Sequence, residues 1–518
     1  FNWTRIIESL QKGDVIDRKL ENLWGDYSEA SIIGQINTFI DDYNTAIKVT
    51  DSNRLDSFKR YQVSRLQQIV RNFLSEHASS SPIQVTQLDV DNISHRLSLR
   101  SVLGRNAYAH ALKAASVGIG EAGFFLGRDR SDFEAANPQI TMRDASVGGV
   151  YGAISDLSKV KTMDAVSNDG SWKYKALGLD DSEKDIMANF MQSLGVTTAT
   201  KDEMFLAPVR SKGVLQKFLS LDQPGPVLMP FPTYPGHINA CFEQGREILG
   251  VNVEAGYDAF IDYLEQHIND ISVVLIPVIG NPISRLFTDE QGSRLRAIFD
   301  DNPQVSVLID AAYAGYQEGE LSDMVDFKQK PKEGVIRAMY FSASKATDCA
   351  SAPAYVRMHP DLGDELTTIW VKTETSESPF VRAALIAQMQ HVSIADRRED
   401  WNFNRNFIND NLQYELNSVD QSDVFGKIRI IPADAPPFIT LDMTDFCKET
   451  GITVKEITKE LWKSGISILP IDGISNGISS PLLRISVTGN ACKDHETMRE
   501  FIANLVRGLK STSSSYLK

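Results

Sequence analysis

The sequence predicts an α/β fold: a mostly parallel sheet flanked by helices, followed by a smaller α+β domain and preceded by a helical extension. Three observations predict it. From about residue 140, short apolar runs alternate with amphipathic helical stretches, and strands apolar on both faces belong in a sheet covered by helices on both sides. Beyond about residue 380 the pattern changes to mixed helix and strand. The chain has 518 residues, too many for one simple core, so two or three domains are expected.

The first region, 1–125, reads as helical. SRLQQIVRNFLSEH (64–77) puts Leu66, Ile69, Val70 and Phe73 on one face at helical spacing. LGRNAYAHALKAASVGIGEAGFF (103–125) is rich in small residues, as a tightly packed helix would be. It carries no catalytic motif and reads as a packing or oligomerisation extension, with a regulatory or substrate-capping domain as the alternative.

The second region, 126–379, is the large domain. Its apolar runs are PVLMPFP (226–232), SVVLIPVIGNP (272–282), VSVLIDAAY (305–313) and VIRAMYFSAS (335–344). DAFIDYLEQHIND (258–270) and DEQGSRLRAIFDDN (289–302) are helical stretches between them. In such a sheet a ligand sits at the carboxyl ends of the strands. The third region, 380–510, holds FITLDM (438–443), ISILPI (466–471) and PLLRISVTG (481–489) and reads as a smaller α+β domain. The polar stretch 511–518 is expected to fray as a flexible tail.

Composition narrows the function. Hydrophobic residues make up 42%, normal for a globular chain. There are 53 basic and 68 acidic residues, a net charge of −15. That argues against non-specific nucleic-acid binding, which needs a basic surface. Cys241, Cys349, Cys447 and Cys492 form no CxxC pair and the eight histidines no HExxH, which argues against a structural zinc site. Few, dispersed thiols suit a reducing cytoplasm. The longest strongly apolar run, Ile271 to Gly280, is about half of the ~20 residues a spanning helix needs, so no membrane partner is expected.

Polar residues end the apolar runs in a suggestive order: Asn281, then Asp310 and Tyr313, then Ser342 and Lys345, and far downstream Arg484. Each alone also fits a structural role. A strand-end Asp caps helices, a lone Lys is a surface charge, and an Arg in LLRIS is an ordinary salt-bridge partner. Together they define a job. A Lys forms a Schiff base with an aldehyde, and a carboxylate keeps a pyridine nitrogen protonated. An Asn and a Tyr hydrogen-bond a ring oxygen, and an Arg clamps a carboxylate.

These segments resemble the pyridoxal-phosphate (PLP) enzymes of fold type I, specifically the class I/II aminotransferases, over roughly residues 140 to 510. NPISRLFT (281–288) resembles that family's NP-T-G-R-V-F-T turn, and DAAYAGY (310–316) its D-x-A-Y-x-G-F segment. SASK (342–345) resembles S-x-S-K, and PVLMPFPTYPGH (226–237) the V-x-V-P-x-P-T-Y-P-x-Y segment. KYKALGLDDSEKDIMANFMQSLGV (173–196) resembles the Y-x-x-x-x-G-x-x-x-L-R-x-A-I block. The resemblance implies PLP on Lys345, Asp310 at the ring nitrogen, Tyr313 and Asn281 at the ring oxygen, and Tyr234 stacked on the ring. It also implies a site position for Ser342 and Arg484 at the substrate α-carboxylate. Tyr174 is similar to a tyrosine that reaches the neighbouring subunit's cofactor phosphate, implying a homodimer. Gly148 resembles a glycine near the substrate carboxylate.

Two stretches depart from the pattern. The G-x-R expected about eight residues after the lysine is replaced by KATDCASAPAYVRM (345–358), with Pro353 at the arginine's place and Arg357 following later. The T-N-G-S/T-x-x-A phosphate loop becomes APVRSKGVL (207–215). Arg210, Ser211 and Lys212, opening a helix, are the candidate replacement; Arg357 is the alternative. The NP turn has Ile283-Ser284 in place of its usual Gly. The resemblance implies an aminotransferase acting on an α-amino acid with a 2-oxo acid acceptor. A lyase, decarboxylase or carbon–carbon bond-forming enzyme using the same cofactor is the second reading, and a regulatory protein that has lost catalysis the third.

Overall fold

The computed structural model describes residues 129–146, 161, 163–164, 167, 178–222, 225–347, 353–373, 378–420, 423–471 and 480–516. The extension expected over 1–125 lies outside them. The features below belong to one compact unit, Val117–Ala240 with Ile248–Lys518. Its strands are β1 (Arg143–Asp144), β2 (Met204–Leu206), β3 (Val227–Phe231), β4 (Ile248–Asn252), β5 (Val273–Pro277), β6 (Ser306–Asp310), β7 (Arg337–Phe341), β8 (Tyr355–Met358), β9 (Arg429–Ile431), β10 (Phe438–Asp442), β11 (Ile466–Ser467), β12 (Leu469–Ile471) and β13 (Leu482–Ser486).

Seven strands form the large sheet in the order β2-β8-β7-β6-β5-β3-β4. Pairs β7–β6, β6–β5, β5–β3 and β3–β4 are parallel; β8 runs antiparallel to both β2 and β7. Val273, Val274, Leu275 and Ile276 of β5 are all fully buried, each contributing about 1.5–3 kcal/mol by leaving water. Helices Asp258–His267 and Asp289–Asp301 are followed in the chain by β5 and β6 respectively. Thr288 starts the second with a capping box, its hydroxyl accepting from Gln291 N while the Gln291 side chain accepts from Thr288 N.

Strand order reverses between β3 and β5, and the reversal opens a crevice at the carboxyl ends. Pro230 in β3 has no N–H to give, and the β3–β5 ladder stops at Leu228↔Val274. The crevice mouth is thus bounded by residues following β3, β5 and β6.

The C-terminal part is a four-stranded antiparallel sheet, β12-β13-β10-β9. It shares a core with helices Ile394–Asn417, Val454–Lys463 and His495–Tyr516. Two expectations change here. Residues 143–145, read as part of the large domain, join the C-terminal part: β1 pairs in parallel with β11, and Ala145 lies in that core. Residues 511–516 are not a frayed tail, because the last helix continues to Tyr516 and buries Thr512 and Ser513. Their hydroxyls donate to Gly508 O and Lys510 O at 2.8 Å, which lets a polar sequence stay helical and packed.

Candidate active site

Asp310 ends β6 at the crevice. Its Oδ2 lies 2.6 Å from His237 Nε2, and His237 Nδ1 lies 2.9 Å from Thr233 Oγ1. A carboxylate only accepts, so Nε2 carries the hydrogen toward Asp310, and Nδ1 shares its bond with the Thr233 hydroxyl. Asp310 Oδ1 accepts from Ala312 N at 2.9 Å. His237 was not singled out from the sequence, although its segment was. The signal available was a Thr four residues before a His across the entry to the helix Pro235–Glu243, close enough in the chain for the hydroxyl to reach the ring.

Tyr234 precedes that helix and is 42% exposed, a large aromatic left open at the crevice. Its ring stands edge-on to His237 with centroids 5.5 Å apart. Gly236 makes room for it, since a Cβ there would lie 2.2 Å from Tyr234 Cε1.

Lys345 lies in a single helical turn, Ala343–Ala346, directly after β7. Its Nζ is 5.8 Å from the Tyr313 ring centroid. Its pKa is lowered to about 8, chiefly by burial and also by the Arg484 charge, with Asp310 opposing both. Ser342 follows β7, and its hydroxyl exchanges a 2.9 Å hydrogen bond with Ser344. The Tyr316 hydroxyl donates to Lys345 O at 3.0 Å, while the Tyr316 ring stacks on Trp401 at 3.7 Å. Burial pushes the Tyr313 hydroxyl above its usual range, so it remains a donor.

Arg484 reaches the same place from β13. It is 5% exposed, its plane lies 4.2 Å from the Phe438 ring centroid, and Nη1 donates to Asn281 Oδ1 at 2.8 Å. Nη2 donates to Ser146 O at 2.5 Å, and Nε has no hydrogen-bond partner among the described residues. With Oδ1 engaged, Asn281 has its amide hydrogens left to give. Burial holds the Arg484 pKa down at about 10.

The Asn281 turn is tied to the C-terminal sheet by Ser284. Its hydroxyl accepts from Phe438 N at 3.1 Å and its carbonyl from Asp434 N at 3.1 Å; Thr440 Oγ1 donates to Pro282 O at 2.7 Å. Ser284 has φ 48, the left-handed conformation that explains a glycine in the usual motif.

Lys345, Asp310, Tyr313, Tyr234, Asn281 and Arg484 thus come together, linked through His237 and Phe438. Arg210 caps the helix Ser211–Leu221; it and Lys212 are exposed, Ser211 half-buried. This loop is stitched to the strand carrying the altered stretch: Ala207 N donates to Ala354 O and Ala354 N to Val209 O. Pro353 beside it is buried. Arg357 is committed elsewhere, with Nε on Glu203 at 2.7 Å and Nη2 on Thr198 O at 3.1 Å. Tyr174 and Gly148 lie outside the described residues. Among the described residues no cluster of three or more His, Cys, Asp or Glu is set to hold a metal ion, and no helix is long and apolar enough to cross a membrane.

Residues 178–505 match the family Aminotransferase class I and II. Solved structures with the same fold include an aspartate aminotransferase mutant from Thermus thermophilus, at 14% identity and TM-score 0.59, covering 76% of this chain and 96% of that one. The Rhizobium meliloti aspartate aminotransferase is 17% identical, with TM-score 0.58 and coverage of 74% and 95%. The aromatic aminotransferase of Pyrococcus horikoshii is 14% identical, with TM-score 0.59 and coverage of 74% and 98%. No curated protein sequence matches the chain.

Proposed function

The chain belongs to the class I and II aminotransferases, PLP-dependent transferases, and from that premise we propose that it moves the amino group of an α-amino acid to a 2-oxo acid through a Schiff base on Lys345. The observation that carries the reading is the buried Arg484: among the described residues its hydrogen-bond acceptors are two neutral oxygens, and its Nε has none. A buried cation without a carboxylate is costly, and a substrate carboxylate is the group that completes it.

The donor set fits PLP. Lys345 offers an amine of lowered pKa, Asp310 a carboxylate for a pyridinium nitrogen, and Tyr313 and Asn281 hydrogens for a ring oxygen. Tyr234 offers an aromatic face. Arg210, Ser211 and Lys212 offer charge and a helix start for a phosphate. When bound, the cofactor supplies an electron sink for the pair left behind at the substrate Cα.

The protein's residues do the rest. Arg484 binds the α-carboxylate and thereby orients the Cα–H bond. Lys345 Nζ, poised near neutrality, takes that proton and returns it. His237 holds Asp310 in one orientation, and Thr233 holds His237 in one tautomer. A homodimer, implied by the resemblance at Tyr174, belongs to the same proposal and is checked by sedimentation.

The test is a panel of amino acids offered with a 2-oxo acid acceptor, with products identified by mass spectrometry. Borohydride reduction of the purified protein is run alongside. Amino-group exchange and a pyridoxyl mass on the Lys345 peptide support the reading. Carbon dioxide or an eliminated group released without acceptor turnover favours the lyase, decarboxylase or bond-forming alternative; a label on another lysine overturns the site.

A further inference from the structure

We propose that Asp144, clamped by Arg130, is a positioning residue for Arg484: it fixes the Ser146 carbonyl on which the guanidinium rests. The inference builds on the reading of Arg484 as the carboxylate receptor.

Asp144 is bonded on both oxygens. Oδ1 accepts from Ser146 N at 2.8 Å and from the Ser146 hydroxyl at 2.6 Å, which closes a local turn on the residue whose carbonyl Arg484 contacts. Oδ2 accepts from Arg130 Nη1 at 2.7 Å, and the same nitrogen reaches Ser467 Oγ on β11 at 3.1 Å. The backbone is fixed as well. Arg143 N donates to Gly465 O at 2.7 Å, Ala145 N to Ser467 O at 2.8 Å, and Ser486 N to Ala145 O at 2.8 Å. Ser486 and Arg484 share β13. The segment therefore lies between β11 and the strand that carries the receptor, and Gly489 permits the approach, since a Cβ there would meet Asp144 O at 2.8 Å.

The charge arrangement explains why an acid stands one residue away. A carboxylate directly on Arg484 would compete with the substrate's. Asp144 acts across Ser146 instead, and its own charge is balanced by Arg130. Burial pulls the Arg484 pKa down; Tyr313, Tyr234 and Asp144 oppose that pull. Asp144 is the only carboxylate among those opposing groups, so it favours the charged guanidinium without occupying it.

The experiment measures steady-state kinetics with the best amino acid of the panel and with the matching amine lacking the carboxylate. The holoenzyme variants are Asp144→Ala, Asp144→Asn and Arg484→Lys. Asp144→Ala is expected to raise KM for the amino acid about tenfold with kcat within about twofold, and to leave the amine unaffected. Asp144→Asn keeps an oxygen for Ser146 but turns an NH2 toward Arg130 and loses the charge, so it should recover only part of that loss. If Arg484→Lys raises KM and Asp144→Ala does not, the positioning role is wrong and the receptor assignment survives. If Asp144→Ala impairs amine and amino acid equally, the residue is merely structural and the proposal fails. If Arg484→Lys has no effect on the amino acid, the receptor assignment falls and the positioning role with it.

Discussion

Glu203 and Arg357 form a closed pair, Oε2 to Nε at 2.7 Å, with side chains 3% and 2% exposed. Glu203 ends the short 3-10 turn just before β2, and Arg357 lies on the neighbouring β8, packed 4.6 Å over the Phe327 ring. An arginine held this way is not available to a phosphate. Arg357→Ala is therefore expected to destabilise folding by about 3–5 kcal/mol, because it strands a buried carboxylate. Arg210→Ala should leave stability nearly unchanged and weaken PLP retention by about 1.5–3 kcal/mol. Denaturation curves and PLP dissociation constants for the two variants separate these effects; loss of retention confined to the Arg357 variant would sink the loop assignment.

Lys345 should react as an unusually acidic ammonium. Its folded pKa is lowered to about 8 from the usual 10.5 of a lysine, chiefly by burial. The neutral amine is the nucleophile, so reactivity rises as pH climbs through the folded pKa. Amine-selective labelling of the cofactor-free protein is expected to show a midpoint near pH 8 at Lys345 and higher midpoints at surface lysines. A Lys345 midpoint indistinguishable from the surface lysines would contradict the burial argument.

Asp310→Ala is expected to reduce turnover by two or more orders of magnitude, at about 1.4 kcal/mol of barrier per tenfold, with a smaller loss of bound cofactor. His237→Ala removes only the orienting bond and should reduce turnover about tenfold. Single-turnover rates on both variants check the ranking. Equal losses would show that His237 does more than orient.

Ser284 invites a comparison of two substitutions. Ser284→Ala keeps the left-handed strain and leaves the buried Phe438 N–H without its acceptor, a cost of about 1–3 kcal/mol. Ser284→Gly loses the same acceptor but relieves the strain, and should be about 1 kcal/mol less harmful. Urea denaturation decides it; a glycine variant less stable than the alanine variant would mean that the φ of 48 carries no strain.

The strand-end residues were legible because the sheet puts them there: apolar runs such as SVVLIPVIG lead straight to Asn281, and VSVLID to Asp310. Tertiary partners were less legible. The two-residue β1 has no pattern of its own and gains its identity from β11, far along the chain. His237 sits in a quoted segment, yet its role depends on Asp310 arriving from another strand. The helical tail to Tyr516 was hidden by Ser and Thr, whose hydroxyls find carbonyls one turn back.

The Tyr316 hydroxyl on Lys345 O, braced by the Trp401 stack, makes the lysine a lever with an anchored fulcrum. Its main chain is pinned, so any travel of the amine must come from rotation about side-chain bonds. The amine therefore sweeps a small, repeatable arc, and shuttling a proton demands no rearrangement of the surrounding polypeptide. Removing the Tyr316 hydroxyl would loosen the fulcrum and leave the arm's length unchanged.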